Sequence, residues 1–374
     1  MKIPGKLRPH LSTLANPNRL LIDLRPDPPV AQRDILWAPG LRWREQVLSL
    51  GTDRYPVVWL AVNLREAGVK LQPIWNNPAT LVGTAPLANI AQGWRAAAAI
   101  NGGFFNRDKQ LPLGAIRQNN RWLSSPILNR GAIAWSDQGE FKLGRLTLLE
   151  SLTTSDGQRL NVLSLNSGYV QKGLVRYTRD WGSTYTPLTS NEILTVVQNN
   201  RVVSQQAGGS AGQITFTIPA DGYLLITRGG NANPVLRTGT ILRSETQATP
   251  TAFHRYPTIL GAGPLLVHNR QIVLDTKAEQ FRPPFERQFA PRSAIGQTVD
   301  GTTLIATIHN RVGGPGPTLQ EMARLMQQLG AVEALNLDGG SSTALYLGGQ
   351  LLDRHSSTAI RVHNGIGIFV QPSL

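Results

Sequence analysis

The stretch that decides the fold reads Gly316-Pro317-Thr318-Leu319-Gln320-Glu321-Met322, continues to Leu329-Gly330, and then runs Val332-Glu333-Ala334-Leu335-Asn336-Leu337-Asp338-Gly339-Gly340-Ser341-Ser342-Thr343. Met322, Leu325, Met326 and Leu329 recur at helical spacing, which predicts one amphipathic helix. Thr318 and Glu321 stand as a Thr-x-x-Glu capping box at its start, and Gly330 supplies the stop. The apolar run Val332 to Leu337 then reads as a buried strand, delivering Asp338 into a glycine turn. Ala344 to Leu347, Gly348-Gly349 and Gln350 to Leu352 follow as a hairpin, and Ile366 to Val370 as a closing strand.

Outward from this core, strand signals dominate. Val57 to Leu64 and Val69 to Ile74 alternate apolar and β-branched residues, and many short strand candidates follow between Gly114 and Val273. Ala96 to Ile100 ends a helix or forms a buried strand, and leads into Asn101-Gly102-Gly103-Phe104-Phe105. With 37 Gly and 25 Pro in 374 residues, turns are frequent. The expected class is α+β: β-rich mixed sheets with a few packed helices. Residues 1–33 read as the tail of an upstream domain plus a proline-rich linker, and residues 34–374 as one catalytic domain.

The formal net charge is +14, and only 7 of the 37 basic residues are lysine, so 30 are arginine. Arginine binds phosphate and carboxylate through a planar fork of donors. The basic residues are scattered, with no basic run or stacking motif, which argues against nucleic acid. The expected partner is an anionic glycan or a sugar phosphate. The absence of cysteine excludes disulfides and thiolate chemistry. Met1 to Leu21 has no apolar core of an export signal, and no stretch is apolar enough to span a bilayer. Either the protein is cytoplasmic, or the sequence begins after a signal and the protein is periplasmic or extracellular. The oligomeric state is not legible.

Asp338 is the first candidate for chemistry: it leaves a buried strand just before two glycines. The amides of Gly339, Gly340 and Ser341 could form an anion nest; equally, Asp338 could only organise the turn. Glu321 has a complete structural role in the cap, yet stands close enough in sequence to be a second carboxylate. Arg292, in Pro291-Arg292-Ser293-Ala294-Ile295-Gly296, could clamp an oxyanion. Asn101, Gly102 and Gly103 form a polar turn at a strand end. His309 ends the Leu304 to Ile308 strand and could act as acid or base. No cofactor is required; carboxylates and asparagines could still hold Ca²⁺ or Mg²⁺.

Taken in order, Asn101-Gly102-Gly103-Phe104-Phe105, Gly261-Ala262-Gly263-Pro264, Pro291 to Gly296, Pro317 to Ala323 and Asn336 to Thr343 resemble the phosphodiester glycosidase family over about Val57 to Val370. That resemblance implies hydrolysis of a sugar-1-phosphodiester at the anomeric carbon. It implies catalytic roles for Asp338, Glu321 and Arg292. Substrate contacts would come from Asn101, Gly102, Gly103, Thr318, Asn336, Gly339, Gly340, Ser341 and His309, with Asn101 and Asn336 binding sugar hydroxyls or orienting Asp338. Two departures stand out: His309-Asn310-Arg311 replaces an Asp-Gly-Arg, and Ser341 replaces a third glycine. The first leaves room for an alternative, a non-catalytic polysaccharide or peptidoglycan binding module. Asn18 to Leu24 also resembles the closing strand of the AMIN domain, an envelope-targeting module.

Overall fold

The computed structural model describes residues 7–14, 19–26, 32–229, 236–358 and 360–371. Four large sheets carry almost all of the regular structure, with few helices. The largest is an eight-stranded antiparallel sheet. Its order is Gln271–Ile272, Leu265–His268, Ala331–Asn336, Arg292–Thr298, Thr303–Ile308, Asp53–Val62, Leu41–Leu50 and Arg33–Ala38. A five-stranded antiparallel sheet orders Gln350–Leu351, Leu345–Leu347, Ala98–Asn101, Asn364–Val370 and Val69–Trp75. A second five-stranded sheet centres on Thr258–Gly261 and Gly131–Trp135. Residues from all three form one continuous core, including Leu60, Ile100, Ile133, Leu260, Ile295, Leu335 and Ile366. Burial of such aliphatic side chains drives the layering.

The helix expected from the 318–330 pattern is present as Leu319–Gln328, with both arms of the capping box made. Leu319, Met322, Ala323, Leu325 and Met326 face inward onto Leu304, Ala306 and Ala334 of the eight-stranded sheet. Gly330 follows at φ +94°, a left-handed position that ends the helix without a Cβ penalty. The chain then enters Ala331–Asn336, and the Leu345–Leu347/Gln350–Leu351 hairpin turns at Gly348-Gly349 as its sequence requires. The 96–100 ambiguity resolves as strand, Ala98–Asn101, fully buried. A short helix, Leu87–Gly93, precedes it.

A seven-stranded sheet, from Thr147–Thr154 to Leu242–Thr249, lies between the two halves of the sequence that build the other sheets. All its pairs are antiparallel except Arg159–Leu165 with Gly173–Thr178. One buried ion pair, Arg228 Nε to Glu192 Oε1 at 2.7 Å, is closed by the hydroxyls of Tyr177 and Tyr185. At the N-terminus, Leu7–Leu14 and Arg19–Pro26 pair as an antiparallel hairpin bonded to no other strand among the described residues. The segment resembling a closing strand therefore falls mostly on Arg19–Pro26; Asn18 and residues 27–31 of the linker lie outside the described residues. Arg33–Ala38 is already an edge of the eight-stranded sheet.

Candidate active site

Two strand ends from different sheets make the site. Leu337 N donates to Ser293 O, continuing the pairing of the eight-stranded sheet, but one residue on Asp338 N donates to Gly102 O of the five-stranded sheet. Asp338 thus sits where the chain crosses from one sheet to the other. Asn101 fastens this crossing. Its Nδ2 donates to the Asp338 carbonyl at 2.6 Å, while its Oδ1 accepts from Ser293 Oγ at 2.7 Å and Ala344 N at 3.1 Å. Asn101 is fully buried.

The glycines beside it serve the same junction. A Cβ on Gly102 would lie 2.2 Å from Asn364 Oδ1, and one on Gly103 would lie 2.3 Å from the Gly261 carbonyl oxygen. Their missing side chains face protein, so they permit close backbone approach rather than substrate access. Asn336 is also fully buried, donating to the carbonyls of Gly263 and Leu337 at 2.9 and 2.6 Å. A sugar hydroxyl reaches neither asparagine; of the two roles expected, the orientation of Asp338 is the one the geometry allows.

The Asp338 carboxylate is half-buried and accepts from Gly339 N at 3.0 Å. Burial pushes its pKa up to about 6, against the opposing pull of Ser342, Arg107, Gly339 N–H and Arg130. The Ser342 hydroxyl is itself buried with no hydrogen bond of good geometry, and its O–H can rotate toward the carboxylate. Arg107 Nη2 donates to Ser341 Oγ at 3.1 Å, and Arg354 Nη1 donates to the carbonyls of Ser341 and Thr343. The turn that carries Asp338 is therefore held by arginines.

Arg292 is almost completely buried, and two of its donor atoms are committed, Nε to Pro317 O at 3.2 Å and Nη2 to Gln288 O at 2.5 Å. Nη1 remains, and it lies beside Gly339, 3.8 Å from where a Cβ would stand. Burial draws the guanidinium down to about 10, and the Asp338 charge works against that fall. Arg292 stays protonated at any physiological pH. It places a positive charge next to Asp338.

The structure reassigns several other expected residues. Glu321 does not face Asp338. Its Oε2 accepts from Thr318 N at 2.7 Å and Thr318 Oγ1 at 2.8 Å, and its Oε1 accepts from the Tyr55 hydroxyl at 3.0 Å. Burial raises its pKa, but those donors and the Arg311 charge outweigh it and hold the carboxyl below its ordinary value. With both oxygens engaged, Glu321 is a cap rather than a proton donor. The same contacts close the helix N-terminus at Thr318 as an anion site. Glu321→Gln should accordingly keep turnover within about tenfold and lower stability by about 1 kcal/mol, the scale of a lost cap; a loss of activity without unfolding would restore it as a second carboxylate.

Two of the three amides of the expected nest at Gly339, Gly340 and Ser341 are also occupied. Gly339 N is taken by Asp338, and Gly340 N donates to Pro291 O at 2.7 Å. Gly340, at φ +62°, serves the turn itself. His309 Nε2 pairs with Asp353 Oδ2 at 2.8 Å, and Asp353 Oδ1 accepts from Leu345 N at 2.9 Å. His309 is thereby tied to a buried carboxylate other than Asp338.

Sequence reading missed Arg107, Arg130, Ser342 and the ring cluster of Phe104, Phe281 and Phe285. Arg107 was within reach of inference, being two residues beyond the Asn101 to Phe105 turn. Nothing in the sequence linked Arg130 or the 281–285 segment to Asp338. A divalent cation fits this site poorly. Asp338 is surrounded by cations, and no group of three or more His, Cys, Asp or Glu among the described residues is placed to hold a metal. A cavity of about 940 Å³ lies elsewhere, lined by Asn77, Thr80, Lys109, Arg179, Trp181 and Thr184 among others. No carboxylate lines it.

Asp338, a carboxyl group of raised pKa, thus stands at a sheet crossing with arginines around it. Residues 191–369 match the model of the family described as phosphodiester glycosidase, and over this segment the chain is similar to that family. The match begins beyond Asn101, whose turn is thus joined to the family part by the structure. A hypothetical protein from Synechocystis, known from a crystal structure, is 49% identical, with 99% of this chain and 69% of that chain covered at TM-score 0.91. A protein of Burkholderia pseudomallei K96243 described as exported has the same fold at TM-score 0.70 and 21% identity, over 85% of this chain and 74% of that chain. The Mus musculus N-acetylglucosamine-1-phosphodiester alpha-N-acetylglucosaminidase is 27% identical over 158 residues, 38% of this chain. The aligned part spans only 30% of that curated relative.

Proposed function

We propose that the protein hydrolyses a sugar-1-phosphodiester, breaking the bond between the anomeric carbon and the phosphate oxygen. The observation that carries this reading is the lone carboxylate among arginines. Ordinary glycosidases use a pair of carboxyl groups, one of them protonating a poor leaving group. No other carboxylate is among the groups that act most strongly on Asp338. A phosphate monoester is a good leaving group that needs its charge balanced rather than a proton supplied. Arg292 can balance that charge.

In this mechanism water adds its oxygen to the anomeric carbon, and the phosphate departs with the electron pair of the C–O bond. Asp338 accepts the proton of the attacking water, or in its ionised form stabilises the positive charge developing on the sugar; both roles require the carboxylate. Asn101 and Asn336 act one step back, holding the backbone on either side of Asp338.

The substrate class we favour is an anionic glycan of a cell envelope or exopolysaccharide, with the protein periplasmic or extracellular. The excess of arginine and the AMIN-like N-terminal segment support this setting, with residues 1–33 as the end of an upstream envelope domain. Among the described residues no helix is long and apolar enough to cross a membrane. The test is release of free reducing sugar from a panel of sugar-1-phosphodiesters, beginning with N-acetylglucosamine-1-phosphodiesters, beside the matching alkyl glycosides. Turnover of the phosphodiesters alone supports the reading. Glycan binding without turnover of either kind would instead establish the non-catalytic binding module.

A further inference from the structure

Arg130 is a half-buried arginine to which the fold gives no partner. The other interior arginines each have at least one hydrogen-bond or ion-pair partner, although single nitrogens of Arg117 and Arg228 also lack one. Arg117 donates to the carbonyls of Phe253, His254, Tyr256 and Asn120; Arg228 reaches Glu192, Tyr177 and Tyr185; Arg176 pairs with Glu150 at 2.7 Å. Arg130 differs. Its Nε is shut away from solvent without an acceptor, and neither Nη makes a hydrogen bond or an ion pair among the described residues. Burying a cation unpaired is costly, and a protein keeps one where a ligand completes it.

Its placement is built rather than accidental. The guanidinium lies over the Phe281 ring, 4.1 Å from its centroid, and 5.2 Å from that of Phe104. Phe281 stacks on Phe285 at 4.8 Å, and Phe285 in turn lies under Arg292 at 5.3 Å. The three rings therefore join Arg130 and Arg292 into one wall. The backbone that presents Arg130 is strained: Leu128 and Asn129 stand at φ +54° and +55°, in a turn closed by Arg130 N on Ile127 O at 3.1 Å. Two successive left-handed non-glycine residues cost on the order of 1–3 kcal/mol each, and such strain concentrates where a side chain must be aimed.

Glu279 could have neutralised Arg130 but is spent elsewhere. Its Oε2 accepts from Gly131 N at 2.7 Å and its Oε1 from Leu265 N at 2.9 Å, with Arg145 Nε 3.5 Å away. Burial lowers the Arg130 pKa, opposed by the charges of Glu279, Tyr169 and Asp338. The guanidinium stands over the ring of Phe104, two residues beyond Gly102, whose carbonyl accepts from Asp338 N, and Arg107 reaches the same turn through Ser341 Oγ.

We propose that Arg130, together with Arg107, forms a phosphate-binding subsite at Asp338 that grips the phosphate of the substrate and holds the phosphate-monoester product. This rests on the hydrolase reading for its substrate, but anion binding can be measured without turnover. The Phe281 and Phe104 faces orient the guanidinium fork and limit its access to water, so its two remaining Nη groups meet phosphate oxygens as a bidentate donor.

The experiment is calorimetric titration of the intact chain with inorganic phosphate and with methyl phosphate, in wild type, Arg130→Gln, Arg130→Lys and Arg243→Gln. Arg243 is exposed on a distant strand and controls for net charge. Arg130→Gln should weaken both ligands about ten- to a hundredfold, the scale of losing charge-assisted hydrogen bonds. Arg130→Lys should retain part of the affinity while losing the fork, and Arg243→Gln should change nothing. Thermal melts check that each variant is folded, and Arg130→Lys serves if Arg130→Gln does not fold. Absence of phosphate binding by the wild type at millimolar concentration, or equal affinity in a folded Arg130 variant, overturns the subsite whether or not the enzyme turns over. Binding that depends on Arg130 without any phosphodiester turnover keeps the subsite and rejects the hydrolase.

Discussion

Asp338→Asn should lower kcat/KM for sugar release by roughly 10²–10⁴-fold, the usual contribution of a positioned acid or base, and at the same time make the protein more stable at neutral pH. The two effects share one cause. The folded-state pKa of Asp338 is raised to about 6 from an ordinary 3.8. A carboxyl with a raised folded pKa binds its proton more tightly folded than unfolded, so it opposes folding once ionised. Its contribution is neutral below about pH 3.8, becomes unfavourable as pH rises from there to about 6, and is constant above.

Asparagine has the same shape and no charge to bury, so the variant should melt higher than wild type at pH 7.5 and match it near pH 3.8. Catalysis runs the other way: kcat/KM of the wild type should climb with pH through about 6 and level off, as the ionised carboxylate is the working form. Thermal melts across pH 3.5–8 and initial-rate profiles on one phosphodiester measure both. An active Asp338→Asn enzyme, or a flat acid limb, removes Asp338 from the chemistry.

Asn101→Ala should be the more damaging change to the fold. It strands the Asp338 carbonyl, the Ser293 hydroxyl and the Ala344 N–H together in a site closed to water. A buried group left without its partner costs about 1–3 kcal/mol. Allowing for partial relaxation, the loss should be on the order of 4 kcal/mol, read as a shift in the urea midpoint at unchanged slope. Turnover in the surviving folded fraction should fall too, because the crossing residue is no longer pinned between the two sheets. Asn101→Asp is the companion test. It keeps the acceptor for Ser293 and Ala344 but sets an oxygen against the Asp338 carbonyl, so it should lose activity while recovering part of the stability. A loss under about 1 kcal/mol in Asn101→Ala would show that the crossing holds without this clamp.

The parts legible in advance were those whose causes lie within one turn or one strand. Thr318, Glu321 and Gly330 bracket a helix by bonds spanning three or four residues, and Leu319, Met322 and Met326 mark its inner face. The strand that follows and its glycine turn are equally local. The Asn101 turn and the 336–341 turn were paired by resemblance, and the structure supplies the physical link, one asparagine side chain joining residues 237 apart in sequence. The roles within that pair were not legible. Asn101 and Asn336 read as ligands for a sugar or as supports of Asp338, and Gly102 and Gly103 as substrate contacts; the amide donors of both asparagines bond to the protein itself, and the two glycines face it. Glu321 was undecided between cap and carboxylate because the deciding contact, Tyr55, is 266 residues away.

From the sequence alone came a β-rich α+β chain, one capped helix, a carboxylate at a strand end and an excess of arginine, because propensity, capping and hydrophobic period act over a few neighbours. Only the tertiary structure decided which charges meet. Arg107, Arg130 and Arg292 come to Asp338 from three separate segments, brought there by the packing of sheets whose shared core is built of residues from Leu41 to Ile368. Coulomb energy depends on distance in space and on exclusion of water. Both are properties of that packing, and neither is written in the spacing of residues along the chain.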